Sequence, residues 1–180
     1  MGESLDATGR AALALARDAV ERYVRTALVA EPPAELPPDL RQPAGVFVTL
    51  RTGRRLRGCV GTLAPARADI AREIVACAIA AAATDPRFLP VRPHELPHLA
   101  YEVDVVHPLE AVSSLADLDP RTYGVLVEAG GRRGVLLPDL DGVDTAERQV
   151  EIARAKAGLP SATAVRLYRF RVRRFRESDR

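Results

Sequence analysis

Two stretches of this chain carry the same short pattern. Gly45-Val46-Phe47-Val48 followed by Gly53-Arg54-Arg55 is echoed by Gly124-Val125-Leu126-Val127 followed by Gly131-Arg132-Arg133. Each reads as two strands joined by a glycine turn, which is a β-hairpin. Each is followed by a helical stretch, a loop and a further strand. The repeat predicts two β–β–α–β units that complete each other's sheet. The alternative, two unrelated hairpins that look alike by chance, stays open.

The remaining segments fill in around these hairpins. Leu13, Ala16, Val20, Tyr23, Val24 and Ala27 recur at helical spacing, so residues 6–28 read as a helix with Asp6 or Thr8 as its cap. Residues 31–43 are Pro-rich and read as a stiff surface connection. Residues 69–83 form a second helix, capped by Asp69, with Ile70, Ile74, Cys77, Ala78 and Ala81 on one face. Residues 85–97 read as loop and 99–106 as a strand. Residues 144–157 read as a helix opened by an Asp144–Glu147 capping box. Residues 164–175 read as one last strand. The whole is read as a single domain over 1–180, with two intertwined lobes dividing near 110–120.

Composition narrows the function classes. Of 180 residues 47% are apolar and 28% charged, with a net charge of +2, so the chain is neither disordered nor a dedicated polycation. Aromatics at 4%, with no Trp, supply a poor stacking platform for single-stranded nucleic acid. Two cysteines, Cys59 and Cys77, do not make a disulfide scaffold. The first residues carry no signal-peptide pattern and no run is long enough to span a bilayer, so a reduced, cytoplasmic location without membrane contact is expected.

Chemistry is most visible in Leu56-Arg57-Gly58-Cys59-Val60-Gly61-Thr62. Two glycines weaken a strand unless a bulge or close approach needs them. Strand alternation would put Arg57 beside Cys59, and a guanidinium there favours a thiolate. Cys59 is then either a reactive or ligand-contacting thiol, or a small buried packing residue. Asp85-Pro86-Arg87-Phe88 is either a helix stop with a turn-local ion pair or a pair of charges brought to the Cys59 strand. Glu102 and Asp104 share a strand face, read first as solvated and second as an acid–base pair. Lys156 is the sole lysine among 26 basic residues, placed to act at a helix C-terminus. His94-Glu95-Leu96-Pro97-His98 matches H-E-x-x-H, but Pro97 prevents the continuous helix that zinc binding needs, so no metal is expected. The arginines at 166, 169, 171, 173, 174 and 176 read as a charged edge strand or a phosphate-binding stripe.

These residues resemble the AMMECR-one domain family, whose signature LRGCIGT is matched by LRGCVGT at 56–62. Further matches follow in order: Asp85 to Pro90, Glu95-Leu96, Tyr101-Glu102-Val103, Pro108-Leu109-Glu110, Gly134 to Pro138, Lys156-Ala157-Gly158-Leu159, Phe170, and Phe175-Arg176-Glu177. Val60, Asp139 and the Ala162–Ala164 stretch depart from the family pattern. The resemblance implies an α+β fold with a largely antiparallel, barrel-like sheet, made of two related halves with flanking helices. It implies no established activity and no cofactor. It also implies an association with Memo-like and radical-SAM proteins. Carried over, the site residues are Arg57, Gly58, Cys59, Gly61 and Thr62, joined by Asp85, Arg87, Glu102 and Lys156.

Three functions compete. One is an accessory module whose signature cleft, at LRGCVGT, holds a small ligand or a partner's segment and performs no chemistry itself. Another is an enzyme with Cys59 as nucleophile, Arg57 or Lys156 stabilising its thiolate, and Glu102 or Asp85 as acid. The third, nucleic-acid binding through the arginine strand, is the weakest. The residues favour the module, because no catalytic triad, metal set or phosphate loop accompanies the cysteine.

Overall fold

The computed structural model describes residues 5–177, and its contacts divide the chain into two compact units, with the boundaries at Val106/His107 and Val172/Arg173. The first unit contains α1 (Ala7–Thr26), the hairpin β1 (Val46–Thr52) and β2 (Arg55–Gly61), α2 (Ile70–Ala83) and β3 (Leu99–Val106). The second contains β4 (Glu110–Val112), the hairpin β5 (Gly124–Ala129) and β6 (Arg132–Leu136), α3 (Ala146–Lys156) and β7 (Arg166–Phe170). After β7 the chain enters β8 (Val172–Arg176), which belongs to the sheet of the first unit.

The first sheet has the order β2-β1-β3-β8. Val46, Val48 and Leu50 of β1 alternate onto the same face as Tyr101 and Val103 of β3, and all are buried. That face meets Ala12, Ala16, Ala19 and Val20 of α1 and Ile74, Ala78 and Ala81 of α2. Alanine on the helix faces lets backbone approach backbone. Asp6 caps α1 by accepting the Gly9 N–H at 2.7 Å, and Asp69 caps α2 by accepting the Arg72 N–H at 2.8 Å. The end of the chain is pinned by Glu177, whose carboxylate accepts from Arg17 at 2.8 and 2.7 Å and from the Tyr101 N–H at 3.0 Å. The Arg17 guanidinium lies 4.5 Å over the Tyr101 ring.

The second sheet has the order β4-β7-β5-β6, and α3 covers it through Val150 and Ala153 against Val125, Val127 and Leu136. Read from the outer hairpin strand, β2-β1-β3-β8 and β6-β5-β7-β4 are the same arrangement. The strand after each helix returns beside the first strand of its hairpin. The next strand joins the other sheet: β4, which follows β3, sits in the second, and β8, which follows β7, sits in the first.

Several local expectations need correction. The expected strand over 164–175 is two strands in two sheets, broken at Arg171. α3 is capped by Thr145, which accepts the Arg148 N–H at 3.2 Å, so the Asp144–Glu147 capping box does not form. Within the loop expected over 85–97 a 3-10 helix begins, Pro93–His98, and β4 and the 3-10 turn Leu115–Asp117 were not foreseen. The fold is α+β with two antiparallel four-stranded sheets, neither of which closes on itself. No helix among the described residues is long and apolar enough to cross a membrane.

Candidate functional site

The signature lies on β2, an edge strand with a β-bulge. Leu50 faces Gly58 and Arg51 faces Leu56, which leaves Arg57 as the extra residue. The bulge breaks the simple alternation that would have set Arg57 beside Cys59. Gly58 faces α2 so closely that a Cβ there would lie 2.1 Å from the Ala81 carbonyl oxygen. Gly61 lies under Phe47, whose ring a Cβ would meet at 2.4 Å. Both glycines are therefore required by packing.

Cys59 points to the sheet face opposite the helices and is half-buried. Its Sγ accepts from the Thr49 hydroxyl, directly across on β1, at 3.2 Å. Thr49 in turn faces Glu102 on β3. A thiol, a hydroxyl and a carboxylate thus form a row across three strands. Neither cysteine forms a disulfide. Cys77 is buried in the core, where desolvation pushes its thiol up to about 12.

Asp85 and Arg87 come to Cys59 from beyond α2. The Cys59 N–H donates to Asp85 at 2.9 Å, and Arg87 donates to the Cys59 carbonyl at 3.2 Å. Arg87 also holds Asp85 through its own N–H at 3.1 Å and its guanidinium at 3.0 and 2.7 Å. The guanidinium bonds first, and the Cys59 and Arg87 amides after, hold the Asp85 carboxyl far below the ordinary carboxylate range despite its burial. The local ion pair and the approach to the Cys59 strand, weighed as alternatives from the sequence, are one arrangement.

Arg57 forms a two-pronged ion pair with Glu95 at 2.7 and 3.1 Å. Glu95 also accepts the Arg92 N–H at 2.7 Å, and its carboxyl is lowered chiefly by the Arg57 hydrogen bond. Here the His-Glu-x-x-His stretch acquires a role: its Glu is a bolt for the bulge, while His94 and His98 are exposed on a 3-10 helix that contains Pro97. Among the described residues no group of three His, Cys, Asp or Glu side chains could hold a metal ion. Phe88 lies beside both guanidinia, 5.9 Å from Arg57 and 5.5 Å from Arg87.

Thr62 serves a residue that the sequence analysis passed over. Its hydroxyl donates to the buried Glu73 at 2.9 Å, and the other Glu73 oxygen accepts the Ala66 and Arg67 amides at 3.0 and 2.8 Å. Glu73 therefore folds the loop that follows β2 onto the start of α2. The sequence signal for it is a carboxylate between Ala71 and Ile74 on the apolar face of α2.

Glu102 and Asp104 are not on a solvated face. They are 3% and 0% exposed, and their charges are met by Arg176 and Arg174 of β8. Burial raises the Asp104 carboxyl, opposed by its two-pronged bond to Arg174 at 2.7 and 3.2 Å. The arginines of the stripe are likewise bonded to groups of this chain. Arg166 pairs with Glu128, Arg169 with Glu110, and Arg173 with Asp6 and Asp39, while Arg171 bonds the Tyr123 hydroxyl. Lys156 belongs to the second unit, where its ammonium donates to the Val135 carbonyl at 2.8 Å.

The AMMECR1 family model matches residues 13–176, and the chain belongs to that family. It is 49% identical over 160 residues to a Thermotoga maritima protein, covering 87% of this chain and 92% of that one. A Clostridium acetobutylicum protein is 40% identical over 91% of this chain, which spans 35% of that longer protein. The crystal structure of an uncharacterized protein from Pyrococcus horikoshii superposes with a TM-score of 0.91 at 32% identity, over 97% of this chain and 94% of that one.

Proposed function

We propose that the chain is an accessory binding module whose signature strand receives a small ligand or a segment of a partner, with Memo-like and radical-SAM proteins as the partners to try first. One observation carries this reading. Among the carboxylates bonded to the signature, Asp85 is occupied by Arg87 and two backbone amides, and Glu95 by Arg57 and the Arg92 amide. A carboxylate held ionised in this way fixes shape and is a poor proton donor or acceptor near neutral pH. Exposed apolar surface lies close by in sequence: Leu89 is 77% and Leu56 36% exposed, flanking the Asp85–Phe88 and Arg57–Cys59 segments.

The test is titration calorimetry of the chain with a purified Memo-like protein and a purified radical-SAM protein from one organism. Binding to at least one of them, weakened about tenfold or more by Leu89→Asp, is the expected result. No heat with either, or binding indifferent to Leu89→Asp and to Phe88→Ala, contradicts the reading.

A second reading, Cys59-dependent chemistry, has one observation in its favour. The Sγ is half-buried and accepts a hydrogen bond from the Thr49 hydroxyl at 3.2 Å. The rate of Cys59 alkylation in the native protein separates it from the module.

A further inference from the structure

The family signature contains a device that neither a ligand nor a catalytic role explains. β2 is the outer strand of its sheet, so one side of its backbone faces away from β1. The Thr62 N–H donates to the Val46 carbonyl at 2.8 Å, and hydrogen-bonded and open pairs alternate from there along an antiparallel ladder. Thr49 and Cys59 therefore face each other as an open pair, and the Cys59 N–H and C=O point out of the sheet. Gly61, two residues on, presents its N–H and C=O outward by the same alternation, and an incoming strand would need both Cys59 groups as well. Both are already taken: the N–H by Asp85 at 2.9 Å and the C=O by Arg87 at 3.2 Å. The carboxylate supplies the acceptor and the guanidinium the donor that a neighbouring peptide unit would have supplied.

The same construction recurs in the second unit. β6 is the outer strand there. Its Gly134 meets α3 as Gly58 meets α2, with the Cβ position 1.8 Å from the Ala153 carbonyl oxygen. The residue after that glycine is Val135, and its carbonyl accepts from Lys156, which lies just beyond Ala153 at the end of the same helix. In both units, then, a glycine brings the outer strand against a helix. A cation arriving from that helix's C-terminal side then closes the next carbonyl.

We propose that Asp85 with Arg87, and Lys156, are edge caps that keep β2 and β6 from pairing with the same strands of a second copy of this chain. This goes beyond the binding reading and does not depend on it. It also limits how a partner can engage the signature, since the Cys59 backbone groups on the strand edge are already bonded. Bulges and charged residues are the usual protection of exposed edges, and β2 carries both.

The test compares the parent chain with Arg87→Ala, Lys156→Ala and the double variant. The Arg87 side chain is 52% exposed and Lys156 lies on the surface, so both replacements leave the cores intact. Self-association is read by sedimentation over rising protein concentration, and backbone protection by hydrogen exchange. The double variant is expected to associate about tenfold or more tightly than the parent. Amides at 57–61 and 133–136 should become slower to exchange as concentration rises. Asp85→Ala should act in the same direction. If it unfolds by circular dichroism, Arg87→Met, which removes the donors and keeps the stem, replaces it. Variants that stay as monomeric as the parent, or that associate without slowing those amides, overturn the proposal. So does a parent chain that already pairs through β2. None of these outcomes bears on the calorimetric test of the binding reading.

Discussion

At the scale of single residues, the signature reads as two kinds of necessity. Gly58 and Gly134 are fixed by contact with helix backbone, where a Cβ would stand 2.1 and 1.8 Å from a carbonyl oxygen. Neither Ala81 nor Ala153 can yield as a flexible side chain could. Gly58→Ala and Gly134→Ala should each destabilise by about 1–3 kcal/mol, the cost of overpacking. A lower denaturant midpoint at unchanged slope is the expected reading, and an unchanged midpoint would show that the helices can move aside. Asp85 gives a prediction in pH. Its folded-state carboxyl lies below the ordinary value of about 3.9, so its contribution is present above that value. It is lost as pH falls through the lowered folded value. The stability gap between the parent and Asp85→Asn should be full near neutrality and close only in strong acid. A gap independent of pH into that range would contradict the ion-pair assignment. The sequence named Cys59, Asp85 and Arg87 as residues of interest, yet it could not reveal that Arg57 is the bulge and pairs with Glu95. The bulge shifts alternation by one residue, and strand period alone does not report it.

At the scale of elements, helices and hairpins were legible because their signals are local. Spacing of apolar residues, with Asp6 and Asp69 as caps, located α1 and α2, and the glycine turns located both hairpins, though not the ends of their strands. α3 was displaced by one capping residue. Thr145→Ala should cost about 1 kcal/mol in a melting experiment, while Asp144→Ala should cost little, since Asp144 is exposed and takes no capping bond. Equal costs would restore the Asp144 cap. What stayed hidden was pairing over long separations. Asp104 meets Arg174 and Glu102 meets Arg176 seventy or more residues away, so a carboxylate face that reads as solvated is buried against arginines. The seat of Glu177 is of the same kind. Glu177→Gln removes the charge that Arg17 binds and should cost roughly 1–3 kcal/mol. Hydrogen exchange should show faster opening of the Tyr101 amide, which Glu177 accepts, and an unchanged rate would mean the chain end is held by other contacts.

For the whole molecule, the repeat found in the two hairpins is the main organising fact. The strand orders β2-β1-β3-β8 and β6-β5-β7-β4 repeat it in three dimensions, down to a glycine against a helix and a cation on the next carbonyl. The split of the last strand between the sheets could not be read from residues 164–175, because alternation continues across Arg171 whichever sheet receives each half. Membership of the AMMECR1 family was legible from the ordered motifs, and it explains where they fall: on the outer strand of the first hairpin, the ends of two helices, and the closing strand. The charged members of those motifs hold backbone and one another, which is the property on which the binding reading rests.

The most direct test of that reading is the rate at which native protein is alkylated by iodoacetamide at neutral pH, with Cys59 and Cys77 separated by peptide mass mapping. Cys77 supplies an internal reference, since it is buried and its thiol is pushed up to about 12. A module whose charges are structural predicts that Cys59 reacts no faster than a small free thiol. Alkylation of Cys59 about tenfold or more above that rate would mark an activated nucleophile and contradict the account.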